Sequence, residues 1–141
     1  MNFPSPARFV PVTRRDLAIS MLIDGRKEGS PLVVRPKDSP ETTFDILPGP
    51  ENGHFIVGWT SKWHVGANPD NLQEQPYPFV TETPFDWSIQ PAGQGTFKIH
   101  FPNKDECVKL PENAKDGSEL SIGPANGTME ELWQVVPGHE Y

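Results

Sequence analysis

The sequence predicts an all-β domain of three similar units, each of four short strands, and three observations lead there. First, its 17 Pro and 12 Gly are scattered between apolar stretches rather than gathered in one tract. That spread is expected of many short strands joined by turns. Second, helical periodicity is scarce. The best helical stretch, 14–23, carries the run Leu17-Ala18-Ile19-Ser20-Met21-Leu22-Ile23 into the hairpin-type dipeptide Asp24-Gly25 and reads better as a strand. Third, strand signals return three times at intervals of roughly 45 residues.

In the first unit, 7–50, the signals are Arg8-Phe9-Val10, Leu17 to Leu22, Leu32-Val33-Val34 and Phe44-Asp45-Ile46, with Pro48 in the turn that follows. The second unit, 51–92, offers His54-Phe55-Ile56, Trp63 to Val65, Phe79-Val80 and Trp87-Ser88-Ile89, then Pro91. The third, 93–141, offers Thr96-Phe97-Lys98-Ile99, Cys107 to Leu110, Leu120-Ser121-Ile122 and Trp133-Gln134-Val135, then Pro137. Three units of four strands are the ground plan of a β-trefoil, in which six strands close a barrel and six form hairpins capping one end. Closure removes the exposed edges that short open strands would present. On this plan Phe9, Phe55 and Phe97 are equivalent. Alternation turns both members of Phe44/Ile46, Trp87/Ile89 and Trp133/Val135 inward. A chain of 141 residues holds one such domain with a proper core, not two.

The net charge of −7 argues against nucleic acid and anionic membranes, which reward basic patches. No stretch approaches the ~18 apolar residues of a membrane span, so no membrane insertion is expected. Met1 to Pro6 lacks the basic start and apolar run of a secretory signal. Cys107 is alone, which excludes an internal disulfide and favours a reducing compartment. The expectation is a cytoplasmic protein, or one released by a route that needs no signal peptide. The sequon Asn126-Gly127-Thr128 carries no weight there.

Catalysis has no signature. His54, His64, His100 and His139 lack metal-site spacing, so neither a metal nor another cofactor is expected. There is no Gly-x-Ser-x-Gly, and Cys107 lies in an apolar strand pattern that predicts a buried, inert thiol. The pairs Asp105-Glu106 and Glu130-Glu131 are adjacent, so on a strand they would point to opposite faces and could not flank a substrate. The chain reads as a binder, not an enzyme.

The densest functional stretch runs from Trp59 to Trp87. A saccharide site needs an aromatic face for the apolar side of a pyranose, with short polar side chains to fix its hydroxyls. Trp63, His64, Asn68, Asp70, Phe85, Asp86 and Trp87 supply those parts in one unit. The alternation makes Trp87 first of all a core residue, and Trp59 and Trp63 could equally plug the barrel end. A secondary site at Asn103 and Asp105 competes with an ordinary solvated turn. A different reading is a protease inhibitor acting through an exposed loop. The segment 73–78 is one candidate; 24–29, which offers Arg26 or Lys27 to a trypsin-like pocket, is another, and either can also be a plain turn.

Several stretches resemble the mushroom ricin-B-like β-trefoil lectins, a group that takes in small agaric lectins, the lectin-like light subunit of tyrosinase and mannose-binding relatives. They are Leu17-Ala18-Ile19 through Pro31-Leu32-Val33-Val34, Phe85-Asp86-Trp87-Ser88-Ile89, Gly95-Thr96-Phe97-Lys98-Ile99, and Ser118 to Gly123 running on to Leu132-Trp133-Gln134-Val135. The resemblance implies metal-free binding of a saccharide or glycoprotein glycan, of mannose or GlcNAc/fucose type, on the middle unit. Phe85, Trp87 and the aliphatic Val80 match positions of that site. The chain departs from the family in carrying Glu131-Leu132-Trp133 where Gln-x-Trp is usual, which puts galactose sites in question, and in Pro84 where a polar residue is usual. The same fold also serves mushroom protease inhibitors and accessory subunits that contact a protein partner instead of a sugar. The sequence does not set the oligomeric state.

Overall fold

Residues 3–21 and 28–138 are described by a computed structural model. Twelve strands follow one another: β1 (Ala7–Pro11), β2 (Leu17–Ser20), β3 (Val33–Pro36), β4 (Phe44–Pro48), β5 (His54–Gly58), β6 (His64–Gly66), β7 (Phe79–Thr81), β8 (Ser88–Gly93), β9 (Thr96–His100), β10 (Glu106–Lys109), β11 (Ser121–Pro124) and β12 (Trp133–Pro137). The only helical pieces among the described residues are two single 3-10 turns, Pro50–Asn52 and Met129–Glu131. The chain is all-β, as its turn-rich punctuation predicts.

Every pairing is antiparallel. The main ladder runs as an open path, β11-β10-β9-β12-β1-β4-β5-β6-β7, with β8 paired on β9 and β2-β3 standing apart. Between β5 and β8 lies one bridge, His54 to Trp87, whose two backbone hydrogen bonds are both 2.8 Å. The three hairpins β2-β3, β6-β7 and β10-β11 are stitched to one another. The Leu32 N–H donates to Pro78 O (3.0 Å), the Leu120 N–H to Leu32 O (3.0 Å) and the Ile122 N–H to Pro76 O (2.8 Å).

The core forms where these layers meet. Phe9, Phe44, Trp87, Phe101 and Trp133 are its largest members, each 2% exposed or less. Trp87 and Trp133 satisfy their buried indole N–H groups on the hairpin strand of their own unit, at Val65 O (2.8 Å) and Val108 O (3.3 Å). The inward alternation holds for Trp87 and Ile89, whereas Ile46 and Val135 are only partly buried against the core. The equivalence of Phe9, Phe55 and Phe97 needs correction. Phe9 lies two residues before Pro11, which faces Trp133, and Ile56 lies two before Gly58, which faces Phe44. Ile56 and Ile99 are buried beside Phe9, while Phe55 and Phe97 are half-exposed.

Glu131 is not on a strand. It ends the second 3-10 turn as the third residue of a capping box with Thr128, and its side chain is fully buried. The carboxylate accepts from the backbone N–H groups of Asn126 (2.8 Å), Gly127 (3.3 Å) and Thr128 (3.3 Å) and from the Thr128 hydroxyl (3.2 Å). Lys109 and Lys98 approach to 3.6 and 3.7 Å. Burial pushes its pKa up, but those hydrogen bonds outweigh burial and hold it down at about 2. Burial, followed by the Glu131 charge, pushes the Cys107 thiol up to about 12.

Candidate functional site

A cavity of about 240 Å³ opens between β6, β7 and the segment leading into β8. Strand alternation places Phe79 and Thr81 on one face of β7, and Thr83 and Phe85 continue that wall. Asn68, just past β6, lies opposite. Glu28 arrives from the preceding unit. The Gly29 N–H donates to Val80 O (2.7 Å) and the Val80 N–H to Ser30 O (2.8 Å), so this segment runs along β7 and brings Glu28 to the rim.

The polar groups are oriented and incompletely used. One Glu28 oxygen accepts the Glu82 N–H at 3.0 Å, and the Asn68 amide donates to Gln75 Oε1 at 3.2 Å. The Thr81 hydroxyl oxygen accepts the Thr83 N–H at 3.0 Å. A second carboxylate oxygen, an amide carbonyl and a hydroxyl proton therefore remain for a ligand. Phe79 and Phe85 supply apolar area. Phe85 is held by Trp87 (4.7 Å between ring centroids) and Phe101 (5.8 Å). Its ring also lines an adjoining cleft of about 160 Å³, walled by Pro69, Phe101 and Pro102 with Asn103 and Lys104 at the edge.

Of the residues expected from sequence, the structure brings together Asn68 and Phe85, with Asn103 in the adjoining cleft. Val80 and Trp87 are both 0% exposed and belong to the core beneath the cavity, so they are corrected from ligand contacts to supports. Asp86 faces away: Cβ atoms built on Gly49 or Gly53 would lie 2.3 or 2.2 Å from its Oδ1, so it packs onto the first 3-10 turn. Beside it, burial lowers the pKa of His54, with Asp86 acting in the opposite sense. Trp63 and His64 line neither cavity. Lys62 Nζ lies 5.2 Å from the Trp63 ring centre, and the His64 ring meets the Phe55 edge at 6.3 Å. Asp70 and Asp105 are exposed turn residues that line neither cavity.

Arg26 and Lys27 lie outside the described residues. The other candidate loop, 73–78, is pinned at its Pro76 and Pro78 carbonyls by Ile122 and Leu32. Sequence reasoning missed Thr81, Thr83 and Glu28. The alternation 79-81-83-85 was available as a signal for the first two; none existed for Glu28, which reaches the cavity through pairing between units. Among the described residues no three His, Cys, Asp or Glu side chains gather as metal ligands.

No protein-family model matches the sequence, and no curated protein matches it. Solved structures match over almost the whole chain. The Rhizoctonia solani agglutinin has a TM-score of 0.82 at 16% identity, covering 98% of this chain and 99% of its own. A Macrolepiota procera ricin B-like lectin, solved with lactose, gives 0.77 at 13% identity with the same coverage of each chain. A proteinase inhibitor from Coprinopsis cinerea gives 0.75 at 11% identity, again covering 98% and 99%. At such identities the likeness shows the fold, a β-trefoil shared by lectins and an inhibitor alike.

Proposed function

We propose that this protein is a metal-independent, non-catalytic lectin that binds a saccharide in the cavity bounded by β6, β7 and the approach to β8. One observation carries the reading. Two half-buried phenylalanines stand beside a carboxylate, an amide and a hydroxyl, each already fixed by one protein hydrogen bond, in a recess of about 240 Å³. That is below the ~300–1,000 Å³ of pockets for drug-sized ligands and suits a single sugar ring with its neighbours left in solvent. The likeness to the agglutinin and the ricin B-like lectin supports the class. The resemblance in sequence favours mannose or GlcNAc/fucose-type ligands. The reading takes β1, β4, β5, β8, β9 and β12 as a closed barrel, supported between β5 and β8 by the His54–Trp87 bridge.

A glycan array run on the wild type and on Phe85→Ala tests it. Binding to mannose- or GlcNAc-bearing glycans, weakened about tenfold by the substitution, is the expected result; an aromatic contact of ~1.4 kcal/mol corresponds to that factor. Binding untouched by Phe85→Ala overturns the site. A second reading, a trefoil proteinase inhibitor, is favoured by the likeness to the Coprinopsis inhibitor. Dose-dependent inhibition of trypsin or papain that is lost on changing Arg26 or Pro76, with no glycan bound, would replace the first reading.

A further inference from the structure

The geometry points to a second saccharide site on the same chain, centred on Trp59; its ligand class rests on the reading above. Cavities of about 210 and 380 Å³ share the residues Glu41, Trp59 and Thr60. Thr43 and Ser61 border the first cavity and Asp38 the second, so hydroxyls and carboxylates surround the indole on both sides.

Packing among the described residues does not account for Trp59. The junction between the third and first units repeats its backbone frame. There the Val12 N–H donates to Leu132 O (3.1 Å) and the Leu110 N–H to Glu130 O (2.9 Å). Here the Trp59 N–H donates to Thr43 O (3.0 Å) and the Met21 N–H to Glu41 O (3.1 Å). The frame thus accepts valine where this junction has tryptophan. Among the described residues, Trp63 packs against the core cluster and Trp59 does not. No described residue accepts from the Trp59 indole N–H, whereas those of Trp87 and Trp133 are bonded inside.

The surrounding backbone is held in a costly shape. Thr60 has φ 53° and Glu41 φ 65°, both in the left-handed region, and for a β-branched residue that is a genuine outlier. Such strain gathers where a site is shaped in advance. Gly58 forms the floor. A Cβ there would lie 2.8 Å from Ser61 Oγ and 2.9 Å from Met21 Sδ, so any side chain would displace the cavity's walls. A ring with one apolar face and equatorial hydroxyls fits this arrangement: the face on the indole, the hydroxyls toward Thr43 and Ser61. Two sites on one chain would let a monomer cross-link glycans.

Titrating ¹⁵N-labelled protein with chitotriose and with mannotriose, followed by NMR, tests this. The Trp59 indole cross-peak should move on its own binding curve, separate from that of the Asn68 side-chain amide. Trp59→Ala should abolish the shifts at Thr60 and Ser61 and leave the Asn68 curve within twofold. The Trp87 and Trp133 indole peaks report that the variant is folded. Movement at Asn68 with Trp59, Thr60 and Ser61 silent for both sugars overturns the second site and leaves the first standing. Movement at Trp59 alone removes the first site and keeps the second, and silence at both removes the saccharide reading with it.

Discussion

The corner that leads into β12 and the corner that leads into β8 occupy matching places, yet they are built in opposite ways. Glu131 and Phe85 each stand two residues before a tryptophan that is fully buried and bonded to the hairpin of its own unit. Glu131 turns a carboxylate inward and collects three backbone N–H groups, which closes its corner. Phe85 can bond no backbone group, and its ring is left between two cavities. The first unit closes its corner with Thr42, buried, accepting from Arg8 Nε (3.1 Å) and donating to Ser39 O (2.7 Å). A polar side chain that satisfies the loop makes structure; an aromatic one that cannot do so leaves room for a ligand.

The contrast can be broken most forcefully at Glu131. Glu131→Ala strands the donors of residues 126–128 and should lower unfolding free energy by ~3 kcal/mol in urea titrations, with glycan binding retained by the folded fraction. The acid limb sharpens the point. The folded carboxyl titrates near 2 and its ordinary value is 4.5, so the unfolded chain binds the extra proton between those values. The stabilisation is therefore complete above about pH 4.5 and is lost as pH falls towards 2. A Glu131→Gln variant should show no matching loss over that window.

Phe85→Ala should differ in kind, weakening glycan binding about tenfold in the folded protein while costing ~2 kcal/mol of stability, because the ring is only half-buried. Thr128→Ala removes one arm of the capping box, and ~1 kcal/mol is expected from the same urea titrations. The smallest effect concerns Cys107, which shares the Glu131 corner. With its thiol pushed up to about 12 it should resist iodoacetamide at pH 8 in the native protein and react only on unfolding, as followed by mass spectrometry.

The fold was largely legible because turn residues and buried aromatics recur along the chain, and a repeated architecture repeats its core. Phe44, Trp87 and Trp133 announced themselves this way. The first-strand register was not legible, since Phe55 and Phe97 look like Phe9 in sequence while burial falls on Ile56 and Ile99. The candidate site was half legible. Asn68 and Phe85 are close enough along the chain to be grouped by eye, but Glu28 joins them only through pairing between units. Trp87 and Val80 failed as contacts for a physical reason: the alternation that marks a residue as repeated also turns it inward.

The pairing of β1 with β12, register Ala7 to Pro137, fastens the earliest strand to the latest. During synthesis β1 has no partner on that side until β12 has left the ribosome, so its N–H and C=O groups stay open to wrong neighbours. The same seam brings 7 and 137 side by side. A gene joined there and reopened at the exposed tip 93–95 should yield a permuted chain in which β1 follows β12 at once and the wait passes to β9, whose mate β8 then comes last.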